Sequence, residues 1–458
     1  MKHCTPYVLH ATLLALLAPH ASQADASELG SLGGSRCIAI DVNNAGAAIG
    51  QCRTTEGDFA VTYWASTSVA AMALPGLEFN GPCTALGISG NDVVTGNCER
   101  GEDGESFPVR WLTPSLPSTT PQTLNARTGD DRAEATFINA AGTVAGISTS
   151  PDGTDHPVLW KSGQIQATSL PVPGLLPPLL SSITECHITA LGVAIAPAVV
   201  GFCDLRQGGS LAVKWTPTTS GGYSVASLPR IPGGSNCVAV AVNPNGYIAG
   251  TCEDPVGDLA AVRWRLSGGA PAMLRGLPRE AAVGQQVMAA DINATGTVIG
   301  NYYTSDGLQR GFVWVPTDDP ATEDGLDLGT LGGAVVRVQQ VSDNGTIIGT
   351  AESPQGASAG FAWSPSSNIQ DLGTLGGTYN HPAAISPNGM WIVGASTISS
   401  GQRLAYRIGP IQADIPKLVR SVSPKIISKG LIGLAGLPFE TAWCATLGRE
   451  STHCPGGR

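Results

Sequence analysis

Charge is scarce in this chain. Only 13% of its 458 residues are charged, and 25 lysines and arginines face 35 aspartates and glutamates, a formal net charge of −10. No basic block occurs, so neither nucleic acid nor an anionic membrane surface is an expected partner. After the first two dozen residues no apolar run approaches ~20 residues, so no later segment is expected to span a bilayer. The absence of Cys-x-x-Cys removes the usual zinc and redox spacings. No Gly-x-Ser-x-Gly elbow and no phosphate-cradling loop ahead of a helix is present. Aromatic residues make up only 5%, so the places where they recur carry information.

Glycine and proline are plentiful instead, at 59 and 33 residues. That mixture suits many short strands joined by tight turns. The first residues read as a secretory signal. Met1-Lys2-His3 is followed by an apolar stretch, Tyr7 to Ala18, and then by small residues at Ser22-Gln23-Ala24. Residues 1–24 are therefore expected to be removed from a secreted, extracellular or periplasmic protein.

Tryptophans at 64, 111, 160, 215, 264, 314 and 363 recur at a spacing near fifty residues. A period of that length marks a repeat architecture. The unit reads as an apolar strand, an Asn/Gly turn, a second strand ending in Gly, a variable loop, a third strand ending in Trp, and a strand carrying Leu-Gly-Gly. The strand-end glycines are Gly50, Gly96, Gly146, Gly201, Gly250, Gly300 and Gly349, and Gly394 begins an eighth copy with Tyr406 in the Trp place. The turn glycines, Gly46, Gly90, Gly142, Gly192, Gly246, Gly296, Gly345 and Gly389, are expected to supply positive φ. In the third strand the residue two before each aromatic is apolar except at Thr62, while the residue between varies and includes Arg110, Lys214 and Arg263. That alternation predicts one buried face and one open face, with Trp64, Trp111, Trp160, Trp215, Trp264, Trp314, Trp363 and Tyr406 in the core.

Cysteines flank the hairpin turns. Cys37 and Cys52, Cys83 and Cys98, Cys186 and Cys203, and Cys237 and Cys252 are each placed about one turn, where the strands stand ~4.5–5.5 Å apart, a separation a disulfide accepts. Other copies lose both members together, as at Ala133 and Ser148 or Val336 and Ala351. Cys444 and Cys454 remain and are expected to pair in the tail. Five local bridges suit an oxidising compartment.

Four strands per copy predict an all-β fold, a propeller blade per copy. Counting the aromatic-ended strands gives eight blades, with seven and one copy outside the ring as the alternative. The Leu-Gly-Gly phrase also occurs before the first hairpin, at residues 29–34, and the eighth copy lacks a good one after Tyr406. An N-terminal strand is therefore expected to close the ring. The propeller is assigned to residues 25–418 and a non-repeat tail to 419–458.

The phrases Asp327-Leu328-Gly329-Thr330-Leu331-Gly332-Gly333 and Asp371-Leu372-Gly373-Thr374-Leu375-Gly376-Gly377, with Ile292-Asn293, Gly311-Phe312-Val313-Trp314 and Gly360-Phe361-Ala362-Trp363, resemble the bacterial extracellular HAF-repeat family. The resemblance covers nearly all of residues 28–408 and is strongest in the sixth and seventh copies. The second copy departs from it at Ile88-Ser89-Gly90, and the fourth carries an insertion around Ala196-Pro197. It implies a secreted repeat protein with no established activity, so no catalytic residue carries over.

Four histidines lie beyond residue 24, namely His156, His187, His381 and His453, in different copies and at different depths of the unit. They read as surface or turn residues. Asp41-Val42-Asn43 and Asp291-Ile292-Asn293 offer one carboxylate each, too few for calcium, and an Asx turn accounts for the Asn. No catalytic, cofactor-binding or metal-binding residue is assigned. The expected function is a monomeric binding or scaffold module for an extracellular glycan or cell-surface protein. The rival is a secreted hydrolase or lyase acting on a polysaccharide. Carboxylates meeting a His or Arg at the channel mouth would favour the rival.

Overall fold

The computed structural model describes residues 25–411 except 78–79, 101–104, 113, 116–119, 175–182, 207, 275–285 and 317–324. Residues 1–24, expected to be a signal segment, His453, and the tail with Cys444 and Cys454 lie outside the described residues.

The described chain is all β, with no helix. Six separate four-stranded antiparallel sheets account for residues 80–371. The remaining strands form one eight-stranded sheet that consists of two four-stranded sets. One set is Gly33–Val42, Ala48–Thr54, Phe59–Trp64 and Met72–Ala73. The other is Asn380–Ile385, Ile392–Thr397 and Arg403–Gly409, with the N-terminal strand Asp25–Glu28 added antiparallel to its third strand. A single parallel bridge, Arg36 to Arg403, joins the two sets. The architecture is an eight-bladed propeller, with blade 1 starting at Gly33 and blade 8 completed by the first strand of the chain.

First strands pack against the strands of the neighbouring blades, and the first strand of blade 1 packs on blade 8, so the ring is closed. The fourth strands pack chiefly on their own blade, so they lie outermost and the first strands surround the central channel. Closure uses Asp25–Glu28 and not the Leu-Gly-Gly phrase itself. In blades 1, 7 and 8 the fourth strand stops just before that phrase, at Ala73, Asp371 and Glu28. The phrase itself makes the crossing to the next blade. Its leading leucine is buried in every copy: Leu29, Leu74, Leu124, Leu170, Leu228, Leu274, Leu328 and Leu372. In five copies the next residue offers its carbonyl to an indole of the following blade. Trp64 donates Nε1–H to Gly30 at 2.9 Å, Trp111 to Pro75 at 2.8 Å, and Trp264 to Pro229 at 2.8 Å. An indole buried with its N–H satisfied gives a large apolar contact at no polar cost. All seven repeat tryptophans and Tyr406 are buried. Tyr406, however, pairs with Gly394 as Phe361 pairs with Gly349, so in blade 8 Ile408 and not Tyr406 holds the Trp place, because the third strand there reaches two residues further past the aromatic.

Much of the third strand's second face is also covered, with Lys214 and Arg263 half-buried there. Tyr63, Leu159, Val313, Ala362 and Ala405 stand on the side opposite the aromatic and are buried too, because the adjacent blade covers them. Cations at this position thread out to the next blade's carbonyls. Arg110 reaches Lys161 and Gln164, Lys214 reaches Leu266, and Arg407 reaches Gly46 and Ala65. Alternating polarity along the strand therefore reflects snorkelling into an interface and not exposure.

The strand-end glycines lie inside the second strand. Each sits opposite a β-bulge in the first strand, and a bulge recurs at this level in all eight blades, as between Ala39 and Asp41 or Ala289 and Asp291. The bulge turns a carbonyl toward the glycine. A Cβ on Gly50 would collide with the oxygen of Ile38, and one on Gly300 with that of Met288. Glycine is needed here for space, since neither residue has positive φ. The turn glycines behave as expected at Gly46 and Gly296, with φ of 87° and 88°, but not at Gly90 or Gly192. In blade 2 the left-handed residue is Asp92, φ 63°. Gly192 begins the longer turn of blade 4, where its N–H bonds to Ala198.

Candidate functional site

Cys37–Cys52, Cys83–Cys98, Cys186–Cys203 and Cys237–Cys252 are bonded across the first two strands of blades 1, 2, 4 and 5, with Cα separations of 4.0–4.1 Å. Four disulfides fit an oxidising environment. They also set a level in the ring. The residue after the cystine position pairs with the residue after the second-strand glycine in every blade: Ile38 with Gln51, Thr84 with Asn97, Glu134 with Ile147, His187 with Phe202, Val238 with Thr251, Met288 with Asn301, Arg337 with Thr350, and His381 with Ala395. Their sequence neighbours are mostly buried, yet seven of the eight, all but Val238, retain exposure. Eight strands thus present seven kinds of side chain around the channel at one level.

Two histidines share this level. His187 in blade 4 and His381 in blade 8 are diametrically opposite, and their titrations diverge. Burial pushes the His187 imidazole down, but carboxylates outweigh it and the net shift is upward. Nε2 lies 3.1 Å from Asp204 Oδ2 and Nδ1 lies 3.7 Å from Glu185 Oε1, with Asp155 of blade 3 adding a third negative field. His381 is pushed below its ordinary value by burial and by the Arg403 guanidinium. Its Nε2 lies 3.3 Å from Gln339 Nε2, and its ring stacks with Tyr379 at 6.4 Å between centroids. Carboxylates of blades 3 and 4 thus surround one ring, and an arginine of blade 8 stands by the other. Reading the histidines as lying at different depths is therefore corrected for this pair. Each copy numbers its own loops differently, and only strand register reveals the shared level.

A hydrolytic triad is not assembled at His187. Ser210 Oγ donates to Asp204 Oδ1 at 3.1 Å, so hydroxyl and imidazole both rest on the carboxylate. A nucleophile would need its hydroxyl on the imidazole. The carboxyls with raised pKa, Asp41 and Asp291, both about 6, lie in the bulges and are raised mainly by desolvation. Each carboxylate is held by amides: Asp41 by Val42 and, across the blade boundary, Ile88; Asp291 by Ile292 and Val341. Gln340 does the same for Ile385 without charge. These positions stitch blades together. Among the described residues no three His, Cys, Asp or Glu side chains converge as metal ligands, and no helix is long and apolar enough to cross a membrane.

The asparagines of the turns are likewise structural. Asn43, Asn139 and Asn293 accept amides of their own turn on Oδ1 and donate from Nδ2 to a carbonyl of the next blade: Ser89 at 3.1 Å, Gly192 at 2.6 Å and Ser342 at 3.0 Å.

No protein family and no curated protein matches the chain. Solved structures do. A post-proline cleaving enzyme from Rickettsia typhi is 9% identical with a TM-score of 0.50, over 80% of this chain and 57% of that one. A puromycin hydrolase is 12% identical with a TM-score of 0.45, over 80% of this chain and 59% of that one. The BP39L lectin from Burkholderia pseudomallei is 12% identical with a TM-score of 0.39, over 73% of this chain and 98% of that one. The chain spans less than two thirds of the length of the two enzymes. At such identities a likeness speaks to the fold alone.

Proposed function

We propose that this chain is a secreted, HAF-repeat-type binding or scaffold module whose channel mouth takes an extracellular glycan or the surface of another protein. One observation carries the reading: Ile38, Thr84, Glu134, His187, Val238, Met288, Arg337 and His381 occupy equivalent positions on an otherwise constant frame. A repeat whose buried positions stay alike while one position, at least partly exposed in most copies, varies from copy to copy, with only histidine used twice, presents a surface for recognition. Disulfides and cross-blade hydrogen bonds hold that surface rigid, which lowers the ordering cost of binding.

A polysaccharide hydrolase or lyase is the second reading, favoured by His187 standing among Glu185, Asp204 and Asp155. The shared use of Asp204 by Ser210 and His187 weighs against it.

Glycan and surface-protein arrays probed with the disulfide-bonded protein test the first reading. Retention that weakens in Glu134→Ala and Arg337→Ala supports it, and silence across both arrays ends it. Release of reducing or unsaturated ends from a retained polysaccharide, lost in His187→Ala, would transfer the reading to the enzyme.

A further inference from the structure

The eight-stranded sheet at the blade 8–blade 1 seam carries a single rung of side chains. Thr397 pairs with Arg403, and the amide of Thr397 bonds to the carbonyl of Tyr379, just before the first strand of blade 8. Arg403 is bridged to Arg36, the only register pair joining the two blades. Arg36 and Arg53 flank the Cys37–Cys52 pair on the same side, and Arg53 pairs with Phe59. Tyr379, Thr397, Arg403, Arg36, Arg53 and Phe59 are therefore neighbours across the seam, with the pairing irregular between Gly33 and Cys37. The rings hold the cations. Arg403 Cζ lies 4.5 Å from the Tyr379 centroid, and Arg53 and Arg36 lie 5.4 Å and 5.9 Å from that of Phe59. Among the described residues none of these three guanidiniums has a carboxylate within salt-bridge distance. All three, with Phe59, are at least partly exposed. In a chain of net charge −10, what sets this place apart is the adjacency of three arginines, two of them brought together only by the single bridge that joins blades 8 and 1.

We infer that this rung binds an anionic polysaccharide, a polymer carrying a carboxylate on successive sugar rings. This rests on the binding-module reading and narrows its ligand. An arginine stacked on an aromatic face keeps its N–H donors at the edge of the guanidinium plane, where a carboxylate is taken bidentately. Neighbouring strands lie about 4.8 Å apart, which sets three forks in a row at a repeat that successive rings of an extended polyuronate can follow. A flexible acidic peptide would lose more conformational entropy in meeting the same row.

The test is retention of the disulfide-bonded protein in affinity gels containing polygalacturonate, chondroitin sulfate, dextran, poly-glutamate or single-stranded DNA. Polygalacturonate is expected to retard the protein, less so as salt is raised, and dextran is not. The triple variant Arg36→Gln/Arg53→Gln/Arg403→Gln should bind at least about tenfold more weakly, and Arg53→Lys should recover only part of what Arg53→Gln loses, because an ammonium keeps the charge but not the fork. Retardation by chondroitin sulfate as strong as by polygalacturonate would extend the ligand to sulfated chains on the same arginines, provided the triple variant loses both. If the triple variant does not fold, Arg53→Gln at its exposed position decides alone. No polygalacturonate binding, binding indifferent to the arginines, or equal retention by poly-glutamate or DNA overturns the inference. Binding to neutral glycans or surface proteins only would overturn it while leaving the module reading intact.

Discussion

Asn293 donates its side-chain amide to the carbonyl of Ser342 at 3.0 Å while its Oδ1 accepts the amide of Thr297 at 2.9 Å, so one residue closes its own turn and ties blade 6 to blade 7. The two jobs separate by substitution. Asn293→Asp keeps the turn acceptor and removes the cross-blade donor; Asn293→Ala removes both. Leaving a buried carbonyl unpaired costs about 1–3 kcal/mol. Denaturant unfolding should rank wild type above the Asp variant and the Asp variant above Ala. An Asp variant as stable as wild type would show that the cross-blade bond contributes nothing.

Gly250→Ala should cost more than its size implies. A Cβ there meets the Val238 carbonyl and the Trp264 ring, neither of which can yield without moving the bulge or the indole. Overpacking of this kind costs typically about 1–3 kcal/mol. Gly257 has φ of 94° but nothing within 4 Å, so Gly257→Ala carries backbone strain alone and should lower the thermal midpoint less. The reverse order would refute a steric role for the second-strand glycines.

Removing one cystine from the ring should weaken it without opening it. Cys237→Ala/Cys252→Ala deletes a link of sequence separation 15, worth roughly 3 kcal/mol on the disputed chain-entropy account. Repeated indoles and closure by Asp25–Glu28 remain, so far-ultraviolet circular dichroism should be unchanged while the thermal midpoint falls. Loss of the β spectrum would mean that the bridge is required for folding.

Stability should decline as pH rises, in two windows. Asp41 and Asp291 have folded pKa values of about 6 against an ordinary 3.8, so their contribution is complete below the unfolded pKa and is lost as pH climbs through the folded one. Replacing both by Gln, as blade 7 does at Gln340, should flatten the curve between pH 4 and 6. His187 is raised from 6.5, so its pairing with Asp204 helps below that pH and is lost above it. His187→Gln should flatten that second limb. Thermal midpoints across pH check both, and an unchanged slope in either variant rejects that assignment.

Much of the architecture is legible in the chain. The recurrence of Trp64 through Trp363 marks the copies, because an indole can be buried only where every copy offers the same slot. The cystines are legible since both partners appear or vanish together. The bulge is not: Ile40 and Ala290 look like ordinary strand residues, and only the second-strand glycines hint that a carbonyl intrudes. Arg110 and Lys214 mislead for a related reason, since a cation in alternation reads as exposed when its stem is in fact buried and its head reaches a neighbouring blade's carbonyl.

The candidate site was far less visible. His187 and His381 are nearly two hundred residues apart, and nothing in their local context marks a common level. Arg36 and Arg403 stand at opposite ends of the repeat and meet only because the ring closes there. The amino-acid sequence by itself determined the blade, since strand period, turn residues and cystine pairing are local and act within about fifty residues. The tertiary structure alone decided what the mouth presents, because ring closure sets side chains from distant copies at one level, and that proximity leaves no trace in spacing along the chain.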